Sequence, residues 1–175
     1  MKRYVCGVIF SNDLRMMVLM EKKRPKWQAG KLNFPGGAVE PQDGVEQNTL
    51  TREVFEELGL KVPASRWTMF AKLTTPDTDS DVYFGAIRLP QGEAETVQTM
   101  TDEQVFLVDV STVSPAQIAE GWPMPEKGRY GRRAVGTPLY NIAWLTSLAR
   151  TVLLGDDCQY IIGEVRTTPG PARVT

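Results

Sequence analysis

The sequence of 175 residues contains no histidine and only two cysteines. Without histidine, the protein has no imidazole for acid-base catalysis, for a metal site or for a Ser-His or Cys-His nucleophile. Cys6 and Cys158 form no metal-binding or redox motif, so we interpret both as buried thiols of a reducing compartment. These two shortages exclude several common classes of enzyme.

Long apolar stretches and a strong charge bias are also missing. No segment approaches the roughly 20 apolar residues that a membrane helix requires. The apolar run at residues 4–10 is followed by a polar turn and lacks a small-residue cleavage site, so it is not predicted to be a signal peptide. The net charge of −1 argues against extended nucleic-acid binding. We therefore expect a cytoplasmic protein with no membrane span and no stable nucleic-acid complex.

The length and the ordinary hydrophobic content of 42% predict one globular domain, which we place at residues 1–166, with a loose tail at 167–175. Apolar patterns predict a central strand at 4–10, a hairpin partner at 16–20, a strand pair at 67–74 and 82–89, and further strands within 101–110 and 159–165. Helical patterns cover 46–58 and 138–154, and Ser114-Pro115 is typical of another helix start. This order predicts an α/β sandwich with a mixed sheet.

The residues around which the chain is organised lie between 35 and 60, where a Gly-rich turn leads into a helix. The helix carries three glutamates, Glu53, Glu56 and Glu57, whose spacing places them on one face. Their repulsion weakens an isolated helix by about a few tenths of a kcal/mol per pair, whereas a hard divalent cation binds such carboxylates. Arg52 is placed to hold one of them in a bidentate pair. A solvated acidic helix face is the simpler alternative.

The rest of this helix supports the same interpretation. Leu50, Val54 and Leu58, followed by Leu60, supply an opposite face that we expect to be buried. Gly59 follows the last acidic turn, where a left-handed helix end is expected.

These residues carry a resemblance to a known family. Gly36-Gly37, followed by Arg52-Glu53-Val54-Phe55-Glu56-Glu57-Leu58-Gly59-Leu60, resembles the Nudix box. The helical half matches at every fixed position. The loop half departs, because the residue that follows Gly37 after five intervening residues is Asp43 instead of Glu, and eight residues instead of seven separate it from Arg52. We interpret this as one inserted loop residue, with Asp43 or Glu46 as a partial substitute for the missing Glu.

The resemblance implies a Nudix-type α/β/α sandwich and a hydrolase of nucleoside diphosphates linked to another group. It implies metal binding by Glu53, Glu56, Glu57 and the backbone carbonyl of Gly37, with Mg²⁺ as the cofactor and Mn²⁺ as a substitute. It also implies catalytic roles, with Arg52 orienting a glutamate and either Glu53 or Glu103 serving as the base. Glu103 matches the acidic position that precedes a late strand in relatives, and Glu56 belongs to the same catalytic set. Family members are often homodimers.

Substrate contacts are less well defined by the sequence. Arg24 ends the basic run 21–24 and has a guanidinium suited to phosphate, although this run also fits a solvated strand end. Asn33 matches the position that contacts the base in relatives acting on oxidised purine nucleotides, and its amide can instead cap the turn. The basic stretch 121–136 fits either a lid over an anionic substrate or an exposed loop.

Two functions from different classes remain open. The first is metal-dependent hydrolysis, with normal or oxidised nucleoside triphosphates as the leading substrates and monophosphate and pyrophosphate as products. Nucleotide sugars, dinucleoside polyphosphates and ADP-ribose are further substrates to consider. The second is a nucleotide-binding or regulatory module that has lost turnover, which the altered loop half of the motif suggests.

Overall fold

The central strand of the sheet is the first strand of the chain, as its apolar pattern predicts. In the computed structural model, which describes residues 1–111, 137–139, 141–155 and 160–164, eight strands form one sheet. The strands are β1 (Lys2–Phe10), β2 (Met16–Glu21), β3 (Lys31–Asn33), β4 (Thr68–Thr75), β5 (Ser80–Arg88), β6 (Val105–Asp109), β7 (Thr137–Pro138) and β8 (Ile161–Glu164). The helices used below are α1 (Glu46–Leu58) and α2 (Ile142–Leu154).

The strand order is β7-β3-β2-β1-β5-β4-β8, and β6 pairs with β2 beside this path. Parallel pairs join β1 to β5, β3 to β7 and β4 to β8. Antiparallel pairs join β1 to β2, β2 to β3, β2 to β6 and β4 to β5. The predicted mixed sheet, the hairpin of β1 with β2 and the pairing of β4 with β5 are therefore confirmed.

Alternation along β1 divides the core between the two faces of the sheet. Val5 and Ile9 pack in a cluster that includes Leu50 of α1, which we call the α1 face. Val8 and Phe10 pack in a second cluster that includes Ile142 of α2. Because each helix covers one face, the architecture is the predicted α/β/α sandwich.

The helix prediction over 46–58 agrees with α1 at both ends. Its apolar residues Leu50, Val54 and Leu58 are fully buried. Gly59 ends the helix with a φ of 71° and donates its N–H to the carbonyl of Phe55, which is the predicted left-handed end.

One prediction in the later part of the chain needs correction, and one early strand was missed. The helix predicted over 138–154 begins only at Ile142, because the residues before it follow the edge of the sheet: β7 pairs with β3, and Leu139 donates its N–H to the carbonyl of Leu32. The three-residue strand β3 was not predicted, since so short a segment shows no periodicity. The late strand is confirmed as β8, with bounds inside the predicted 159–165.

Four sequence predictions lie outside the described residues: the helix start at Ser114, the basic stretch 121–136, the burial of Cys158 and the tail 167–175. In the part of the chain that is described, no helix is both long and apolar enough to cross a membrane.

Candidate active site

The Gly-rich turn before α1 is attached to the central strand by backbone hydrogen bonds. Gly7 donates to the carbonyl of Pro35 at 2.8 Å, and Val5 donates to the carbonyl of Gly37 at 2.9 Å. Gly36 has a φ of 143°, and a Cβ placed there would lie 2.1 Å from the carbonyl oxygen of Val5. A side chain at this position is therefore excluded by both the backbone conformation and the close approach to β1.

The next glycine leaves space for a functional side chain instead. A Cβ on Gly37 would lie 2.4 Å from Oε1 of Glu53. The absence of a side chain at Gly37 thus allows the Glu53 carboxylate to lie against the turn, where the backbone of the loop meets α1.

Arg52 gathers the acidic groups of the loop and the helix. Its Nε and Nη2 atoms form a bidentate pair with the two oxygens of Asp43, at 3.1 and 3.0 Å. Its Nη1 atom reaches Glu53 at 2.8 Å and Glu56 at 3.2 Å. Nη2 also donates to the carbonyl of Ala38 at 3.0 Å. The predicted contact with one carboxylate is therefore a larger arrangement in which one guanidinium contacts three.

Asp43 is the loop acid that contacts Arg52. Its Oδ2 atom also accepts hydrogen bonds from the hydroxyl of Thr49 and the backbone N–H of Glu40, each at 2.9 Å. Asp43 is only 7% exposed. Glu46, the other predicted substitute, instead forms an ion pair with Arg3 of β1. Of the two residues proposed for the missing loop Glu, the structure places Asp43 beside Arg52.

A second cation, Lys22, joins a carboxylate of α1 to a carboxylate that precedes β6. Its Nζ atom lies 3.2 Å from Oε1 of Glu57 and 2.5 Å from Oε2 of Glu103. The remaining oxygen of Glu57 accepts the backbone N–H of Gly36, and that of Glu103 accepts the backbone N–H of Lys23, each at 2.8 Å. Glu103 is thereby brought to the acidic helix, as its predicted catalytic role requires.

Burial and charge shift the pKa values of these groups in different directions. Burial raises the pKa of Glu53 and of Glu57, although Arg52 and Lys22 respectively oppose the shift. The Arg52 guanidinium holds the pKa of Asp43 well below its usual range. Burial alone would lower the pKa of Lys22, but its two carboxylate partners together raise it. Asp43 and Lys22 are therefore both charged at neutral pH.

The donor atoms of this site fit a hard divalent cation. Carboxylates of Glu53, Glu56 and Glu57 lie along one side of α1, and the Glu53 carboxylate lies against Gly37, whose backbone carbonyl adds a further oxygen to the segment. That carbonyl accepts the N–H of Val5, and a carbonyl oxygen has a second lone pair that can coordinate an ion. Within the described ranges, no three His, Cys, Asp or Glu side chains converge as a metal cage. Arg52 and Lys22 hold the carboxylate oxygens instead.

The two predicted substrate residues lie near this site but make local contacts. Arg24 is 72% exposed at its side chain and pairs with Asp102 at 2.8 Å. Asn33 ends β3, where its Oδ1 accepts the N–H of Phe34 at 2.8 Å and its Nδ2 donates to Gln28 at 3.2 Å. Substrate contact by Arg24 and Asn33 stays a prediction.

The sequence analysis did not predict that Lys22 contacts Glu57 and Glu103. It grouped Lys22 with the basic run 21–24, whose proposed role was to contact substrate phosphates. The signal was the alternation in β2: Val18 and Met20 pack on the α1 face, and Lys22 is the next residue in the same period of two.

Comparisons with known proteins show the family of the sequence and the likeness of its fold. The sequence model of the NUDIX domain matches residues 1–133. A MutT protein from Bacillus halodurans has a TM-score of 0.60 at 16% identity, with 97% of this chain and 92% of that chain covered. The NUDIX hydrolase from Nitrosomonas europaea has a TM-score of 0.60 at 15% identity, with 95% and 79% covered.

A third structure is that of the NUDIX domain of Shewanella oneidensis NrtR complexed with ADP ribose. Its TM-score is 0.60 at 16% identity, with 86% of this chain and 87% of that chain covered. At such identities the structural likeness shows the fold alone. No curated protein matches the sequence.

Proposed function

Since this chain belongs to the Nudix family and is a hydrolase of the pyrophosphohydrolase type, we propose that it cleaves a phosphoanhydride bond in a nucleoside diphosphate linked to another group. The leading substrates are nucleoside triphosphates, normal or oxidised, which would yield a monophosphate and pyrophosphate. The observation that carries this proposal is the placement of Glu53, Glu56 and Glu57 on one helix face beside the Gly36-Gly37 turn. Location in the cytoplasm and assembly as a homodimer stay predictions.

Nudix hydrolases use divalent metal ions, and we propose Mg²⁺ here, with Mn²⁺ as a substitute. Glu53, Glu56, Glu57 and the Gly37 carbonyl would hold the ion. When bound, a divalent cation neutralises phosphate charge and makes the attack of water on phosphorus easier.

The remaining steps belong to the chain's own residues. Arg52 keeps Glu53 and Glu56 in place through direct contacts. Glu53 is our first choice for the general base, because its carboxylate lies against the Gly-rich turn, where Arg52 orients it. Glu103 is the second choice, since both its oxygens already accept N–H groups, from Lys22 and from the backbone of Lys23.

The substrate is best identified with a panel of compounds. Hydrolysis would be measured as pyrophosphate release from normal and 8-oxo triphosphates. For nucleotide sugars, dinucleoside polyphosphates and ADP-ribose, it would be measured as the formation of the nucleotide products, each with Mg²⁺, Mn²⁺ or EDTA. ADP-ribose is included because the Shewanella NUDIX domain was solved with it. We expect cleavage of the triphosphates that EDTA abolishes. Binding without metal-dependent cleavage of any compound would instead favour the binding module.

A further inference from the structure

Lys22 is a charged side chain in a place where charge is costly. It follows directly after β2 and points to the α1 face, as Val18 and Met20 do. Only 8% of its surface is exposed. A buried ammonium is tolerated only when it is paired and hydrogen-bonded, so its partners define its role.

The partners come from two separate parts of the chain. Glu57 belongs to α1, and Glu103 precedes β6. Lys22 contacts one oxygen of each, and a backbone N–H holds the other oxygen of each, so both carboxylates are fixed at two points. The ammonium thus occupies the position of a cation shared by Glu57 and Glu103.

We propose that Lys22 is a positioning residue whose ammonium fixes Glu57 and Glu103 and competes with the divalent cation for Glu57. This inference rests on the proposed function, in which Glu57 is a metal ligand. Lys22 therefore weakens metal binding while keeping two acidic groups in the geometry that turnover needs. Removing its charge separates these two effects, because the carboxylates then attract a cation more strongly but are less well ordered.

The matched variants are Lys22→Met, which removes charge and hydrogen bonds, and Lys22→Gln, which keeps two N–H donors without charge. Lys22→Arg keeps the charge and serves as the conservative rescue. Lys61→Met is the control, because Lys61 is exposed and its ammonium lies over the ring of Phe55. Melting temperatures establish which variants are folded, and Lys22→Gln decides the question if Lys22→Met is not.

The primary measurement is Mn²⁺ binding by isothermal titration calorimetry, without any nucleotide, on the full-length chain. We expect Lys22→Met and Lys22→Gln to bind Mn²⁺ at least about threefold more tightly than wild type. At saturating metal, we expect kcat to fall at least about tenfold for both variants. Lys22→Arg should stay within about twofold of wild type in Mn²⁺ affinity, and Lys61→Met should match wild type in both quantities.

Other results would overturn the inference. Unchanged or weaker Mn²⁺ binding by the uncharged variants would show that Lys22 does not compete with the metal. A raised KM for substrate with unchanged metal affinity would instead assign Lys22 to the substrate phosphates. If wild type itself binds no Mn²⁺ and hydrolyses nothing, the proposed function fails, and the Lys22 inference fails with it. If wild type binds Mn²⁺ and the Lys22 variants match it, only the Lys22 inference fails.

Discussion

The site contains two cations, Arg52 and Lys22, that hold its carboxylates in different ways. Arg52 is 23% exposed at its side chain and contacts three carboxylates as well as a backbone carbonyl. The side chain of Lys22 is 10% exposed, and it contacts two carboxylates that are almost equally buried. A planar guanidinium with five donors can serve many acceptors at once, whereas an ammonium is a compact point charge.

The two cations therefore have different expected roles. Arg52 orders the loop, and Lys22 sets the charge beside Glu57. Arg52 ties the loop at Asp43 to α1, so its loss should disturb both stability and geometry. Lys22 acts on Glu57, whose other oxygen is held by the Gly-rich turn, so its effects should fall on metal binding and turnover. Buried charge pairs are screened less than exposed ones, and larger functional effects are therefore expected near Lys22.

The largest effect is expected for Glu57→Gln. The amide keeps the shape of the side chain but removes the charge that we assign to metal binding and to Lys22. We expect kcat to fall at least about a hundredfold, with the fold intact by circular dichroism. The control is Glu95→Gln, which changes an exposed glutamate and should leave turnover unchanged. Near-normal activity of Glu57→Gln at saturating Mg²⁺ would remove Glu57 from the metal site.

Arg52→Lys tests whether the fork of the guanidinium is needed or only its charge. An ammonium cannot form the bidentate pair with Asp43 and also reach Glu53 and Glu56. We expect kcat to fall about tenfold, with a smaller change in KM for substrate. Arg66→Lys is the matched control, since Arg66 lies outside the site and contacts Glu93 and the carbonyl of Arg88. Equal kinetics for both variants would show that charge alone suffices at Arg52.

Asp43→Asn tests how much the loop acid stabilises the fold. The variant removes a buried carboxylate that accepts hydrogen bonds from Arg52, Thr49 and the backbone of Glu40. We expect the free energy of unfolding, measured with urea, to fall by about 1–3 kcal/mol. Asp102→Asn, which changes a half-exposed surface carboxylate, should cost less than about 1 kcal/mol. Similar losses for the two variants would contradict a special role for Asp43.

The contribution of Asp43 should also depend on pH with a defined sign. Its pKa is lowered in the folded protein, so its charge stabilises the fold above the unfolded pKa of about 3.9, and this stabilisation is lost as the pH falls toward the folded value. The difference in unfolding free energy between wild type and Asp43→Asn should therefore be constant from pH 7 to 5 and shrink below about pH 4. Urea unfolding at several pH values measures it, and a constant difference down to pH 3 would contradict the assignment.

The sequence predicted the elements that have strong patterns of their own. The helix over 46–58 was located at both ends because its apolar spacing, its acidic face and Gly59 all indicate the same element. β1 was predicted as the central strand because both of its faces are apolar. The start of α2 was wrong, since Pro138 and Leu139 pair with β3 in a contact that no local pattern reveals.

The candidate site was predictable where the motif is continuous and less so where it is assembled from distant segments. The sequence left Asp43 and Glu46 as alternative substitutes for the missing loop Glu. Which of them reaches Arg52 depends on the path of the loop. The structure separates them, since Glu46 begins α1 beside Arg3 and Asp43 faces Arg52. Lys22 and Glu103 are 81 residues apart, and their contact depends on the pairing of β2 with β6.

The attachment of the Gly-rich turn to β1 has a consequence for how this protein tolerates changes in length. Backbone hydrogen bonds to β1 hold the turn at three residues: Pro35, Gly37 and Val39. The inserted residue can then be accommodated only between Val39 and α1, where Asp43 closes the loop on Arg52. Because the turn is bonded to β1 and α1 packs on the same strand, we expect residues 40–45 to be the part of the motif that can change in length with the least displacement of the acidic face.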